Sequence, residues 1–475
     1  MKALPLYLNG QWVHTHTKLG VVNPALGEQF SEVCTLERAA VGQAIGDAHK
    51  AFQQWREIPG KERGEYLEKI ADEMERRGDD IARTITLENG KPLAQSRGEV
   101  GMSVDHLRWF AQEGRRIYGR TIPHQVRGKR HLVIKTPVGV VAAISPWNFP
   151  LVLALRKVAP ALAAGCTVIL KPASATPLCA LALAECIDAA KLPAGVFQLV
   201  LGRAADIAQE FLDNPLCRKI TFTGSTEVGR MLIRGAAGQI KPLSLELGGH
   251  APILIFEDAD MDAAVEGAII TKFRNTGQSC IAANRIYVQK SVYNKFLEQF
   301  MKKTLAMKVG DGLEDGVQIG PLINGDAVNK ALEQIEDALR RGARLLCGGK
   351  RIDRKGSFLE PTILADVPAD ALCMSEETFA PVAPVCPFNT DAEVIERANA
   401  SPYGLAAYAF TRDLDRAFRL MESLEAGTVG INDSVPSTSQ CPFGGVKQSG
   451  WGRELGIEGL DGFMETKHIS LGVHI

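Results

Sequence analysis

Val138-Gly139-Val140-Val141-Ala142-Ala143-Ile144 is an unbroken apolar run, and a helical pattern reaching Ala164 separates it from a second one, Thr167-Val168-Ile169-Leu170. The alternation continues with a helix over 178–190, a strand over 197–201 and another from Lys219 to Thr223. Strands that lack polar alternation are buried on both faces, and strands separated by helices pair in parallel. The expected class is therefore α/β, with a doubly wound parallel sheet. A new round of strands and helices opens at Pro252-Ile253-Leu254-Ile255-Phe256, which predicts a second α/β domain beyond a border near Gly248-Gly249.

Upstream, Leu6-Tyr7-Leu8-Asn9-Gly10-Gln11-Trp12-Val13 reads as a hairpin, because Asn and Gly both tolerate the positive φ of a tight turn. Two amphipathic helices follow, roughly Glu37 to Glu57 and Lys61 to Glu88, the second ending at Asn89-Gly90.

The 475 residues are 45% hydrophobic and 23% charged, with a net charge of −1. These values fit a folded chain of two or three domains and leave no basic surface for nucleic acid or an anionic membrane. The ten cysteines are scattered, with neither a disulfide framework nor a Cys-x-x-Cys pair, and the nine histidines contain no His-x-x-x-His, so no metal site is expected. The apolar stretch after Met1-Lys2 is too short for a signal peptide and no segment approaches a spanning helix, which points to a cytoplasmic protein.

Three residues supply the parts of one reaction. Cys280, in Asn275-Thr276-Gly277-Gln278-Ser279-Cys280, can add to a carbonyl as a thiolate. Asn148, in Pro146-Trp147-Asn148-Phe149-Pro150, can hold the resulting oxyanion, and Glu246, in Leu245-Glu246-Leu247-Gly248-Gly249, can activate water. Taken singly, each has a plainer reading: a small buried hydrophobe, a turn former before Pro150, and a charge at a strand edge.

These segments resemble the signature blocks of the aldehyde dehydrogenase superfamily. Matching blocks run from Val22-Asn23-Pro24-Ala25 through Leu170-Lys171-Pro172-Ala173, Phe222-Thr223-Gly224-Ser225 and Glu376-Glu377-Thr378-Phe379 to Pro442-Phe443-Gly444-Gly445. Phe273 to Gln278 and the segment from Cys441 to Arg453 look most similar to succinate-semialdehyde dehydrogenases. The resemblance implies an NAD(P)-dependent oxidation of an aldehyde to an acid through a thiohemiacetal and a thioester on Cys280. Succinate semialdehyde leads; glutarate or 2-oxoglutarate semialdehyde, or a broad aliphatic range, is the alternative. A non-enzymatic member of the fold is disfavoured by the intact set Asn148, Lys171, Glu246 and Cys280, and a CoA-acylating variant by Glu246. The implied organisation is a cofactor domain (1–118 and 137–248), a catalytic domain (249–448) and an oligomerisation element (119–136 and 464–475) that builds a homodimer or homotetramer.

No Gly-x-Gly-x-x-Gly follows the candidate strands. Gly224-Ser225-Thr226 instead follows a strand and opens a helix, whose free N–H groups suit a pyrophosphate, although alone it would be only a capped helix start. The resemblance adds Pro146 and Trp147 to the cofactor site, Glu377 at the nicotinamide ribose, Phe379 against the ring end, and Lys171 with Ser174 at the adenine ribose. A hydroxyl at 174, where a carboxylate would repel a 2′-phosphate, favours NADP, with NAD as co-substrate. Arg156 and Arg274, with Ser437, match positions that bind the substrate carboxylate. Their plainer readings are a helix-surface charge for Arg156 and a structural ion pair for Arg274. Two departures stand out: Ala380 where the family has Gly, and His250, read as facing solvent.

Overall fold

The computed structural model describes residues 3–473. Residues 1, 2, 474 and 475, which include the extreme N-terminus and the last two residues of the expected oligomerisation element, lie outside the described residues.

A six-stranded sheet carries the first half of the chain. Its order is Gly450–Trp451, Leu243–Glu246, Cys217–Thr223, Val140–Ile144, Thr167–Lys171, Phe197–Leu199, all parallel except the Gly450–Trp451 edge. Chain order runs outward in one direction from Val140–Ile144 and in the other from Cys217–Thr223. The gap between those two strands is the switch point beyond whose carboxyl ends ligands gather in open α/β sheets.

The second sheet has seven strands in the order Arg344–Cys347, Thr362–Ala365, Val382–Phe388, Ala283–Gln289, Ala251–Ile255, Ala406–Phe410, Thr428–Ile431, with only the first antiparallel. Ile253 and Ile255 pack into one apolar cluster and Leu254 into another on the opposite face. Two buried faces are why this strand reads as a continuous apolar run. The α/β class is as expected.

A three-stranded antiparallel sheet, Met464–Gly472 with Lys129–Pro137 and Arg120–Ile122, meets the first core at Met464 and otherwise lies outside both cores. The hairpin forms with Leu6–Leu8 paired to Gln11–Val13, and Asn9 and Gly10 take φ of 49° and 75°.

One expectation needs correction. Lys61 to Glu88 is not one helix but two, Gly60–Arg76 and Gly78–Asn89, broken at Arg77, whose ψ of 12° leaves the helical region.

Candidate active site

The C-terminal ends of four neighbouring parallel strands point at one place. Leu243–Glu246 ends on Glu246, Cys217–Thr223 runs into Gly224-Ser225, Val140–Ile144 into Pro146-Trp147-Asn148, and Thr167–Lys171 ends on Lys171. Ser225 caps the helix Thr226–Ala236 by accepting the Val228 N–H at 3.3 Å.

Cys280 arrives from the second domain on a contorted loop. Asn275, Thr276 and Gly277 have φ of 50°, 58° and 75°, a left-handed run that costs a β-branched residue about 1 to 3 kcal/mol. Thr276 Oγ1 donates to the Gly320 carbonyl and accepts the Gly320 N–H, both at 3.1 Å, which holds the strained residue in place. Gly277 admits no side chain, since a Cβ there would lie 2.2 Å from the Ala380 carbonyl oxygen. Ala380 itself is buried and its φ is not positive, so its methyl group is accommodated. At Gly249 a Cβ would come within 2.1 Å of the Cys280 carbonyl oxygen, so the segment after Glu246 lies directly against the Cys280 loop.

Cys280 is the meeting point of two cavities. One, about 210 Å³, is bordered by Trp147, Asn148, Ser225, Glu377 and Phe379, with Pro146 and Gly224 also on its wall. Trp147 and Phe379 meet edge to face at 5.5 Å. The Glu377 carboxylate accepts the Gly249 N–H at 3.1 Å, and burial pushes Glu377 up to about 7. Lys171 and Ser174 do not line this cavity; Lys171 is buried, donates to the Pro172 carbonyl at 3.1 Å, and is pushed down to about 8 by desolvation.

The other cavity, about 60 Å³, is lined by Met102, Phe149, Arg156, Arg274, Val435 and Ser437 around Cys280. Arg156 donates to Ser437 Oγ at 2.8 Å and lies 4.5 Å over the Phe443 ring, and its buried Nε has no partner. Arg274 lies 5.2 Å over the Phe149 ring and 4.0 Å from the Met102 sulfur. Neither plainer reading survives. Every residue of the helix Val152–Ala164 is buried, Arg156 included, and the partners of Arg274 are an aromatic face and a thioether instead of an acid.

The Asn148 side chain donates to the Gln278 carbonyl at 3.1 Å, which leaves its second amide hydrogen for a ligand. Its backbone carbonyl accepts from Lys91 Nζ at 2.7 Å and Asn275 Nδ2 at 2.8 Å. Glu246 is buried with Oε2 unpartnered; burial, and then the Glu454 carboxylate, hold it well above the usual carboxylate range. Burial pushes the Cys280 thiol up to about 12.

His250 corrects the other expectation. It is 2% exposed, packed 6.4 Å from the Tyr403 ring, with neither ring nitrogen partnered, and burial beside Arg285 holds it well below the usual histidine range.

Sequence reasoning missed two buried charge pairs beside the site. Lys157 donates to Thr223 Oγ1 and to Glu454 behind Glu246, and Lys91 pairs with Glu99 at 2.6 Å behind Asn148. An available signal was the pair Arg156-Lys157 inside an otherwise apolar helix, where charge has no reason to lie unless something buried needs it.

The thiol, the amide and the carboxylate stand in a chain whose sequence matches one family over nearly its whole length. The sequence pattern of the aldehyde dehydrogenase family spans residues 12–469. The chain belongs to the aldehyde dehydrogenase family. Within it, the chain is 50% identical to the succinate-semialdehyde dehydrogenase [NADP(+)] of Escherichia coli (strain K12), over 98% of this chain and 97% of that protein. It is 49% identical to a glutarate-semialdehyde dehydrogenase of Pseudomonas aeruginosa, with the same coverage. A crystal structure of an E. coli NADP-dependent enzyme, 49% identical, superposes with a TM-score of 0.98 over 99% of this chain and 98% of the other.

Proposed function

We propose that this aldehyde dehydrogenase converts succinate semialdehyde to succinate with NADP, and more weakly NAD, as hydride acceptor. The observation that carries the reading is the small cavity in which two arginines face the thiol of Cys280 without a carboxylate of their own. A guanidinium fork pairs with a carboxylate bidentately, so a substrate with an anionic tail supplies what Arg156 and Arg274 lack.

The cavity on the other side of Cys280 suits a dinucleotide: an aromatic pair to bracket a flat ring, a helix start for a pyrophosphate, and the Glu377 carboxylate for ribose hydroxyls. Lys171 and Ser174 hold the adenosine end, and the Ser174 hydroxyl leaves a 2′-phosphate unopposed. The cofactor supplies one thing, a carbon that accepts hydride.

In the first half-reaction Cys280 Sγ bonds to the aldehyde carbon. Because burial keeps the thiol protonated, a base must take its proton, and Glu246, one of the charges that act on Cys280, is assigned that role in its ionised form. The oxyanion is held by the free amide hydrogen of Asn148 and the backbone N–H of Cys280. Loss of hydride leaves a thioester. In the second half-reaction Glu246, having passed the thiol proton to solvent, takes a proton from water, the water oxygen attacks the thioester carbonyl, the C–S bond breaks, and succinate and the thiolate separate.

Arg274→Ala should lower kcat/KM for succinate semialdehyde by roughly ten- to a hundred-fold, the worth of a charge-assisted bond, and leave butanal almost unaffected. Equal losses for the two aldehydes would overturn the carboxylate reading. A second reading, glutarate semialdehyde, is favoured by the P. aeruginosa relative and differs by one methylene; rates for the two semialdehydes side by side decide between them.

The cofactor domain comprises 1–118 and 137–248, and the catalytic domain 249–448. The assembly is a homodimer or homotetramer built through 119–136 and 464–475, supported by the largely exposed ladder of Met464–Gly472. The setting is cytoplasmic, supported by ten cysteines that are all free. Among the described residues no helix is long and apolar enough to cross a membrane.

A further inference from the structure

The wall of the aldehyde cavity that carries Ser434, Val435 and Ser437 is an irregular loop after the strand Thr428–Ile431, with no regular pairing of its own to fix its shape. Besides the Arg156–Ser437 bond, it is tied at Ser439 to the helix Leu93–Glu113. Ser439, 2% exposed, donates its hydroxyl hydrogen to the Asp105 carboxylate and lies 2.7 Å from His106 Nδ1. A carboxylate only accepts, so the hydroxyl hydrogen goes to Asp105 and the Ser439 oxygen is left to accept the Nδ1–H of His106. The tautomer of His106 is thereby set. Burial, with Arg156 nearby, holds His106 well below the usual histidine range and keeps the ring neutral. The Ser439 carbonyl also accepts the Gly456 N–H at 2.9 Å, so both ends of this residue are tied down.

Asp105 and His106 lie on the helix Leu93–Glu113, which also places Met102 in the aldehyde cavity. Met102 and His106 are four residues apart and share one face of that helix. One rigid element thus sets two walls: Met102 directly, and Ser437 through Ser439 two residues further along the loop. Ser437 Oγ in turn accepts from Arg156, so the orientation of that guanidinium depends on where the loop is held.

We propose that Ser439, braced by Asp105 and His106, is a positioning residue that fixes selectivity for an anionic aldehyde tail by locking Ser437 and, through it, Arg156. This rests on the reading of Arg156 and Arg274 as the carboxylate site. The brace touches neither the reacting carbon nor Cys280, so its loss should act on recognition of the tail and spare the chemistry.

The test is Ser439→Ala, Ser439→Thr and His106→Phe, each assayed with succinate semialdehyde and with butanal at saturating NADP. Ser439→Ala should raise KM for succinate semialdehyde about ten-fold, with kcat and the butanal kcat/KM within about two-fold of the parent. Ser439→Thr keeps the hydroxyl and should restore the parent KM. His106→Phe removes one of the two partners and should give a smaller rise, still confined to the anionic substrate; it carries the same test if Ser439→Ala does not fold. Equal losses for both aldehydes, or no change in either, in Ser439→Ala and His106→Phe would overturn the brace. Arg274→Ala separates the two ideas: if it discriminates between the aldehydes and the brace variants do not, the brace alone fails; if it does not discriminate, the carboxylate site itself fails.

Discussion

In the proposed role of base Glu246 must shed its proton to act, and three buried neighbours set how readily it does so. Burial and the Glu454 carboxylate hold the proton on, while Lys157 and Arg156 oppose them. A base whose affinity for a proton is raised is competent only as pH climbs, so the acid limb of turnover should lie at higher pH than an ordinary carboxylate would give. Glu454→Gln removes one of the raising charges and leaves the Lys157 ammonium uncompensated beside Glu246. Both changes favour the carboxylate, so the acid limb of the kcat profile should move to lower pH; a limb that stays or moves upward would refute this ordering of charges. In Glu246→Gln a first burst of reduced nicotinamide should persist with slowed steady-state release. Cys280, Asn148 and Glu246 could be singled out in the sequence because each stands in a short local motif. Glu454 was not, since it meets Lys157 across 297 residues of chain and nothing local marks it. His250 was misread for a related reason: exposure is a property of what the rest of the chain lays over a residue, here Tyr403 and Arg285.

At the scale of elements, a buried charge pair fastens the helix Val152–Ala164 to the loop before it. Lys91 and Glu99 are both fully buried, and while Lys91 holds the Asn148 carbonyl, Glu99 Oε1 accepts the N–H groups of Leu151 and Val152 at 3.0 and 3.2 Å. One carboxylate therefore satisfies two donors at the helix start that carry no intrahelical bond. Removing one partner of a buried pair strands the other charge, so Lys91→Met should cost about 3 to 5 kcal/mol in urea unfolding. A loss below about 1 kcal/mol, the range of a surface pair, would show that Glu99 finds another partner. The strands and most helices of the first domain could be read from apolar runs and their spacing. The break at Arg77 could not. Met74 and Ile81, on either side of it, are seven residues apart, so the apolar stripe passes through in phase, and Gly78 was the sole local sign of interruption.

Across the whole molecule, the three-stranded sheet is the part least explained by the chain's own core. Ile122 and Leu471 are 41% and 43% exposed on it, and Tyr118 just before it is 72% exposed, more apolar surface than a free-standing ladder has reason to show. If this sheet joins subunits, Ile122→Glu with Leu471→Glu should yield folded monomers by sedimentation, because paired charges would have to be desolvated at the joint. An unchanged mass would place the joint elsewhere. This element was legible only by resemblance, for nothing in its alternation distinguishes an edge that meets a partner from one that meets water. The two larger sheets were legible as a class, yet the recruitment of Gly450–Trp451 into the first sheet was not, since its partner Leu243–Glu246 lies some two hundred residues earlier in the chain. The two cavities that meet at the nucleophile share only Leu153 and Cys280 among their lining residues. With a carrier in one and a small acid in the other, as proposed, neither lies across the other's cavity, and the order in which they leave would follow from how tightly each is gripped.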